Sequence, residues 1–443
     1  MPRRGRDVLQ QLASRFRAMN LFVPNLNFED ELAGRGRPMT SQLNRVLNEL
    51  APLIGLLAEG GDLVQVNDDA MPEVVPECLA HARFVSRSEA SADGGQQRII
   101  PWGWTEQTRH AALKVKMSPT EIPAAEAVTL VNSRDFSSRF DVVACDRADL
   151  LPFGDSSFGV ICRNTGEWEC GVRQLAQAGF RRWVAKPQIS HAGRNRLLAN
   201  GTELNAQQRG WLNKHLAQSG SVYLEPWVRP DEECGLQFEI IPPIRKLAAT
   251  GDRIRLLGVS GLTNDAVGRY QGSLIRRDDL LTETWRLAVT HGFAVCEAAA
   301  AAGYFGPIGL DAFRFRLPNG SRALRLCNDV NARFTMGRLA LQLRPSLQSF
   351  QCGAWCQFAV ADFSQFCDAV QKGLAQSATD DVNMTVTSPH SVGGQSTSIG
   401  TLLFAGDSPA RLLRLVKSIR DQAASRHDGM SLESMAAPFE NLE

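Results

Sequence analysis

Gly306-Pro-Ile-Gly-Leu-Asp-Ala-Phe-Arg-Phe-Arg316, the turn Leu317-Pro-Asn-Gly320, and Leu326-Cys-Asn-Asp-Val-Asn-Ala-Arg333 decide how this chain is read. They read as two strands joined by a tight turn, the first carrying Asp311 and the second carrying Asp329-x-Asn331. Residues two apart on a strand share a face, so Asp329 and Asn331 point the same way. A two-residue loop at Asn319-Gly320 pairs Asp311 with Asn328 and turns Asp329 to the other face. A three-residue loop at 319–321 pairs Asp311 with Asp329, and a slip of one residue exchanges the two arrangements. Convergence of three hard oxygen donors, suited to Mg²⁺ beside nucleotide phosphates, therefore predicts an odd-length loop or a bulge, with Asn319 or Gly320 at positive φ. Such a site implies an enzyme that uses ATP.

The rest of the composition narrows the class. A chain of 443 residues has room for two or three domains. Lys+Arg 48 against Asp+Glu 47 leaves no net field to attract nucleic acid or an anionic membrane. Arg3, Arg4, Arg6, Arg15 and Arg17 cluster at the start, and read as a solvated terminal helix. No run of about 18 apolar residues marks a membrane span. The ten cysteines are scattered through hydrophobic stretches without a CxxC pair; they read as buried reduced thiols of a cytoplasmic protein. Cys352 and Cys356, the closest pair, lack a second pair to make a zinc site.

Along the chain, 19–24 reads as an opening strand, and Leu43, Val46, Leu47 and Leu50 keep helical spacing behind a cap at Thr40 or Ser41. Pro52 interrupts that helix or begins another. Strands at 63–66 and 98–102 complete an open α/β unit, with 88–97 as a loop. A second unit starts at Asp141-Val-Val-Ala-Cys145 and continues through a helix at 167–178 and the strand Arg182-Trp-Val-Ala-Lys-Pro187. A glycine-containing loop at 190–201, a helix bearing Trp211, Leu212 and Leu216, and strands at 223–228, 236–241 and 254–259 follow. One long helix at 281–302 leads into the acid-bearing hairpin. Residues 355–427 read as strand, helix, strands and a closing helix started by Ser408-Pro409.

Three features in order resemble the ATP-grasp superfamily. Trp183-Val-Ala-Lys186-Pro187 followed by Ser190-His-Ala-Gly193-Arg194-Asn195 is similar to its strand lysine and phosphate-covering loop. Leu224-Glu225-Pro-Trp227-Val228, with acids at Asp231, Glu232 and Glu233, looks like its interlobe segment. Asp311, Asp329 and Asn331 match its metal ligands, Arg333 follows where many members carry an arginine near the phosphates, and Asp329 stands where Glu is usual. Asn331-Ala-Arg-Phe-Thr-Met-Gly337 and Trp102-Gly-Trp104 further resemble bacterial members of that superfamily.

The resemblance implies an ATP-grasp fold, mixed α/β and α+β: two α+β lobes clamping ATP over 141–347, hinged near 225–229. A small open α/β pre-ATP-grasp domain over 1–140 precedes it, and a C-terminal α+β extension over 348–443 follows. It implies ATP bound by Lys186, Ser190 and Gly193, adenine facing Glu225 and the backbone of Trp227 and Val228, and ribose on Glu233 or Glu232. One or two Mg²⁺ ions, or Mn²⁺ in their place, would sit on Asp311, Asp329 and Asn331, the Asp at 329 leaving the number open. Arg194 or Arg333 would share phosphate charge; the superfamily's earlier phosphate-side lysine has only Arg163 as a positional counterpart. The implied activity is carboxylate–amine ligation through an acyl phosphate, with small-molecule carboxylate and amine substrates and a homodimer favoured. A phosphotransferase using the same fold, or a nucleotide-binding protein without ligase chemistry, are the alternatives. Arg109, Asn132 and Arg134 are polar candidates for acceptor contacts.

Overall fold

The computed structural model describes residues 19–34, 40–92, 97–154, 156–189, 195–243, 253–376 and 381–426. The arginines at 3–17, Ser190, Gly193, Arg194 and the tail beyond 426 lie outside these described residues.

The chain opens with four parallel strands, β1 (Met19–Val23), β2 (Leu63–Val66), β3 (Arg83–Ser86) and β4 (Gln97–Pro101), in the order β3-β2-β1-β4. Thr40 caps the helix Ser41–Leu50 by accepting from the Leu43 N–H, and Pro52 sits in the first turn of the 3₁₀ segment Ala51–Leu57, which needs no N–H there. The expected loop at 88–97 is a helix, Arg87–Ala92, up to the undescribed residues 93–96. Its cause is a reciprocal cap: the Glu89 N–H donates to Ser86 Oγ at 3.1 Å and the Ser86 N–H to Glu89 Oε2 at 2.8 Å.

Next comes β5 (Val143–Cys145), which joins a large sheet formed later in the chain. The small lobe is the antiparallel sheet β6-β9-β7-β8, from β6 (Val160–Cys162), β7 (Arg182–Pro187), β8 (Leu197–Asn200) and β9 (Val222–Pro226). Helices Thr165–Gln177 and Ala206–Ser219 accompany it, around a core that includes Phe158, Trp168, Trp183 and Leu212.

The large sheet follows with β10 (Glu232–Ile240), β11 (Ile254–Asn264), β12 (Tyr270–Arg276), β13 (Gly306–Arg316), β14 (Arg322–Asn331), β15 (Cys352–Ala359) and β16 (Asn383–Val386). A short hairpin of β17 (Ser391–Val392) and β18 (Gln395–Ser396) precedes β19 (Ile399–Gly406). Nine strands order as β16-β19-β15-β12-β11-β10-β13-β14-β5, so strands beyond 348 extend the same sheet that carries Asp311. The expected long helix is two, Leu280–Thr284 and Arg286–Ala301, broken at buried Trp285, whose ring lies under the Arg314 guanidinium at 4.4 Å. Its longer part lies against the sheet at Gly292, where a Cβ would come within 2.9 Å of the Phe238 ring.

The β13–β14 hairpin has the expected odd-length loop, one residue earlier than 319–321. The Leu317 N–H donates to the Ser321 carbonyl and Gly320 takes φ +85°, leaving Pro318-Asn319-Gly320 as the loop. That start alone would set Asp311 opposite Cys327. A bulge intervenes: the ladder runs Phe313↔Arg325 and then Asp311↔Asp329, with Ala312 opposing Leu326, Cys327 and Asn328. The excess is two residues, an even number, so every side chain keeps its face while the acids come into direct opposition.

Candidate active site

Lys186 on β7 and Glu225 on β9 share a face as diagonal neighbours, and Lys186 Nζ meets Glu225 Oε1 at 2.5 Å. Glu225 Oε2 accepts from Arg325 Nη1 at 2.7 Å. Arg325, on β14 and 1% exposed, also donates to Asp141 Oδ1 at 2.8 Å, the Tyr223 hydroxyl at 2.8 Å and Asn328 Oδ1 at 2.6 Å. Asp141 Oδ2 in turn accepts from the Tyr223 O–H and from the N–H groups of Phe158 and Gly159. This buried network ties the small lobe to the acid-bearing hairpin. Burial raises the Glu225 carboxyl, but Arg325 and then Lys186 outweigh it and hold it at about 2. Burial pushes the Lys186 ammonium below the usual lysine value; Glu225 opposes the shift and Arg134 adds to it. The charge of Glu225 therefore rests first on Arg325.

Asp311, Asp329 and Asn331 share one face of the hairpin, as the register requires. Asn331 Nδ2 donates to Asp311 Oδ2 at 3.2 Å. Burial, and then the neighbouring Asp329 carboxylate, raise the Asp311 carboxyl to about 7. A half-buried acid facing another acid is a place where a cation lowers the energy. Two carboxylates and an amide are donor types that Mg²⁺ takes, although the Asn331 oxygen here accepts from Arg333 and its nitrogen faces Asp311. At Asp329, however, a protein cation is already present: Arg134 Nη1 meets Oδ1 at 2.6 Å and Nη2 meets Oδ2 at 2.9 Å.

Strand alternation separates the two ribose candidates. Glu233 shares the face of Gly235, which opposes Asp311 across β10 and β13; burial raises its carboxyl, and Asn264 Nδ2 donates to it at 2.9 Å. Glu232 points the other way and pairs with Arg314. Trp227 donates its N–H to the Arg182 carbonyl at 2.9 Å, and Arg196 stacks 4.7 Å above its ring. Val228 packs against the small-lobe core.

Arg333 lies beside Asn331 but turns toward the first domain. Its Nε and Nη2 meet Glu29 Oε1 at 2.5 Å, Nη1 donates to the Phe334 carbonyl at 2.8 Å, and Nη2 to Asn331 Oδ1 at 3.1 Å. The same domain holds the segment after β14 twice more: the Ala332 N–H donates to Asn132 Oδ1, and the Phe334 N–H to the Trp102 carbonyl. Arg109 instead binds the Pro123 carbonyl within its own domain. Arg163 is exposed, whereas Arg134 reaches Asp329.

Sequence reasoning missed Arg325, Asp141 and Tyr223. A signal existed at Arg325: a charged residue between Leu324 and Leu326, in a strand buried on both faces, must have a buried partner. Its partners come from far along the chain, and spacing does not reveal them.

Among solved structures, the chain is similar to N5-carboxyaminoimidazole synthetase from Staphylococcus aureus, at 10% identity and a TM-score of 0.50, over 92% of this chain and 98% of that one. It is likewise similar to a biotin carboxylase–β,γ-ATP complex from Campylobacter jejuni, at 12% identity and a TM-score of 0.50, over 93% of this chain and 92% of that one. No protein-family model matches the sequence, and no curated protein matches it. The chain has the ATP-grasp fold, with an N-terminal α/β domain ahead of the two lobes. No helix among the described residues is long and apolar enough to cross a membrane.

Proposed function

We propose that this chain is an ATP- and Mg²⁺-dependent carboxylate–amine ligase. The observation that carries the reading is that Lys186 of the small lobe lies within electrostatic reach of Asp329, which stands directly opposite Asp311 on the large sheet. Asp329 and Glu225 both act on the Lys186 ammonium, and Glu233 acts on Asp311. One neighbour of this fold is named as a β,γ-ATP complex, which supports nucleotide in the same cleft.

In this reading adenine lies at the β9 exit, against Val228 and the carbonyl of Trp227, whose own N–H is used within the lobe. Glu225 sits behind the base and Glu233 takes the ribose hydroxyls. Lys186 and Arg134 neutralise phosphate oxygens, and Arg333, released from Glu29, orients the reacting carboxylate. Asp311 and Asn331, with Asp329 beside them, would hold Mg²⁺, which would supply positive charge to offset that of the phosphates. The substrate carboxylate oxygen attacks the γ-phosphorus and ADP leaves. An amine then attacks the acyl carbon, forming the amide and releasing phosphate and a proton. The protein contributes position and electrostatics rather than covalent chemistry.

The test is ADP release with amino acids and short peptides as candidate substrates, with products identified by mass. An amide with ADP and phosphate is expected; a phosphorylated acceptor without amide replaces the ligase reading by the phosphotransferase one. Asp311→Asn is expected to lower turnover about 100-fold or more while the circular dichroism spectrum is kept. Wild-type ADP release by that variant would refute the site.

A further inference from the structure

We propose that Arg196, Trp227 and the turn between β11 and β12 form a latch between the small lobe and the large sheet, which parts each time a nucleotide enters or leaves the cleft. The inference rests on the ATP-using reading above and adds a gate to it.

The turn takes its shape from Asp265. Its Oδ1 accepts from the N–H groups of Val267 at 2.9 Å and Arg269 at 2.8 Å. Its own N–H donates to the Arg269 carbonyl, and the Gly268 N–H donates back to the Asp265 carbonyl. Gly268 takes φ +71°, and a Cβ there would come within 3.4 Å of both Arg196 Nη1 and Trp227 Cη2. Arg196 lies just before β8 and holds its guanidinium 4.7 Å from the centre of the Trp227 ring, so cation, indole and turn meet at one point. Burial pushes the Arg196 guanidinium below its ordinary value, and Asp265 of the turn is the first charge to oppose the shift, ahead of Glu225.

This contact differs in kind from the Arg325 network that also joins the lobe to the sheet. Arg325 is 1% exposed, and parting its bonds would leave buried charges without partners. Arg196 and Trp227 are half-buried, Val267 at the tip of the turn is 41% exposed, and among the described residues no hydrogen bond joins Arg196 to the turn. Water can replace a stacked cation and a partly solvated charge pair, so the latch opens at small cost.

Its place links the two ends of the nucleoside site. Trp227 precedes Val228, which lines adenine in the reading above. Asn264, at the foot of the turn, donates to Glu233, which takes the ribose in that reading. The latch is already made without nucleotide, so it holds the free and the occupied cleft shut alike. A contact that stabilises both states equally slows entry and exit together and leaves the affinity where it was.

Association and release of radiolabelled ADP are timed on the full-length chain by rapid filtration, and Kd is measured by equilibrium dialysis. Arg196→Ala is expected to raise both rates about 5-fold while Kd stays within about twofold of the natural value, and Arg196→Lys, which keeps the cation, to raise them less. Asp265→Asn keeps an oxygen to shape the turn and removes the charge, and a rise of about twofold in both rates is expected. Unchanged rates in Arg196→Ala and Asp265→Asn would overturn the latch and leave ATP use standing. So would a weaker Kd in Arg196→Ala through faster release alone, which would make Arg196 a direct nucleotide contact. If Arg196→Ala does not fold, Asp265→Asn decides. Absence of ADP binding to the natural chain would sink the ATP reading itself, and the latch with it.

Discussion

Glu225 carries a buried negative charge between two cations, and its effect on stability has a definite sign. Its carboxyl lies at about 2 in the folded protein against an ordinary 4.5, so the stabilisation is complete above pH 4.5 and is lost as pH falls toward 2. That difference corresponds to on the order of 3 kcal/mol. The urea midpoint is expected to fall between pH 5 and pH 3 in the natural chain and to fall less steeply in Glu225→Gln; equal slopes would show that Glu225 is not the group responsible. At this scale the sequence was informative about residue types. Lys186 pairs with Glu225, and Asp311, Asp329 and Asn331 share one face of their hairpin, with Glu233 on the neighbouring strand. It was silent about partners, because Arg134–Asp329 and Arg325–Asp141 join residues nearly two hundred positions apart.

The β13–β14 hairpin shows what an element can and cannot reveal. Parity was readable, since sharing a face requires an odd-length loop or a bulge. The two-residue bulge at 326–328 was not, because its cause is tertiary: Arg325 and Asn328 turn inward to complete the buried network. Gly320 tests the turn alone. It has φ +85° and open space where a Cβ would stand, so Gly320→Ala carries a backbone cost without a clash. A loss of about 1 kcal/mol is expected in urea unfolding, with Gly320→Asn losing less. Equal stability of both variants would argue against the positive-φ turn. The helix at Arg87–Ala92 teaches the converse, since Ser86 and Glu89 stand at the spacing of a capping box and the signal was there to be used.

At the scale of the whole molecule, the last strands close back on the first domain. Glu49, 4% exposed, pairs with Arg45 and accepts from the N–H groups of Ser398 and Ile399, each at 2.9 Å. Glu49→Ala leaves both amides without that acceptor, and a loss of about 3 kcal/mol is expected as a lower urea midpoint, with ADP release in native buffer unchanged. A midpoint that does not move would mean that the clasp contributes nothing to stability. The sequence by itself determined most of the elements and their order, and it tied the shared face of the acids to the parity of the turn, because periodicity, caps and turn chemistry act over a few residues. Tertiary structure alone decided that strands beyond 348 extend the sheet carrying Asp311, that Arg325 joins the lobes, and that Arg134 rather than Arg163 reaches the acids. Those outcomes depend on which distant surfaces exclude water together, and a buried charge reveals its partner only when the folded chain brings the two into contact.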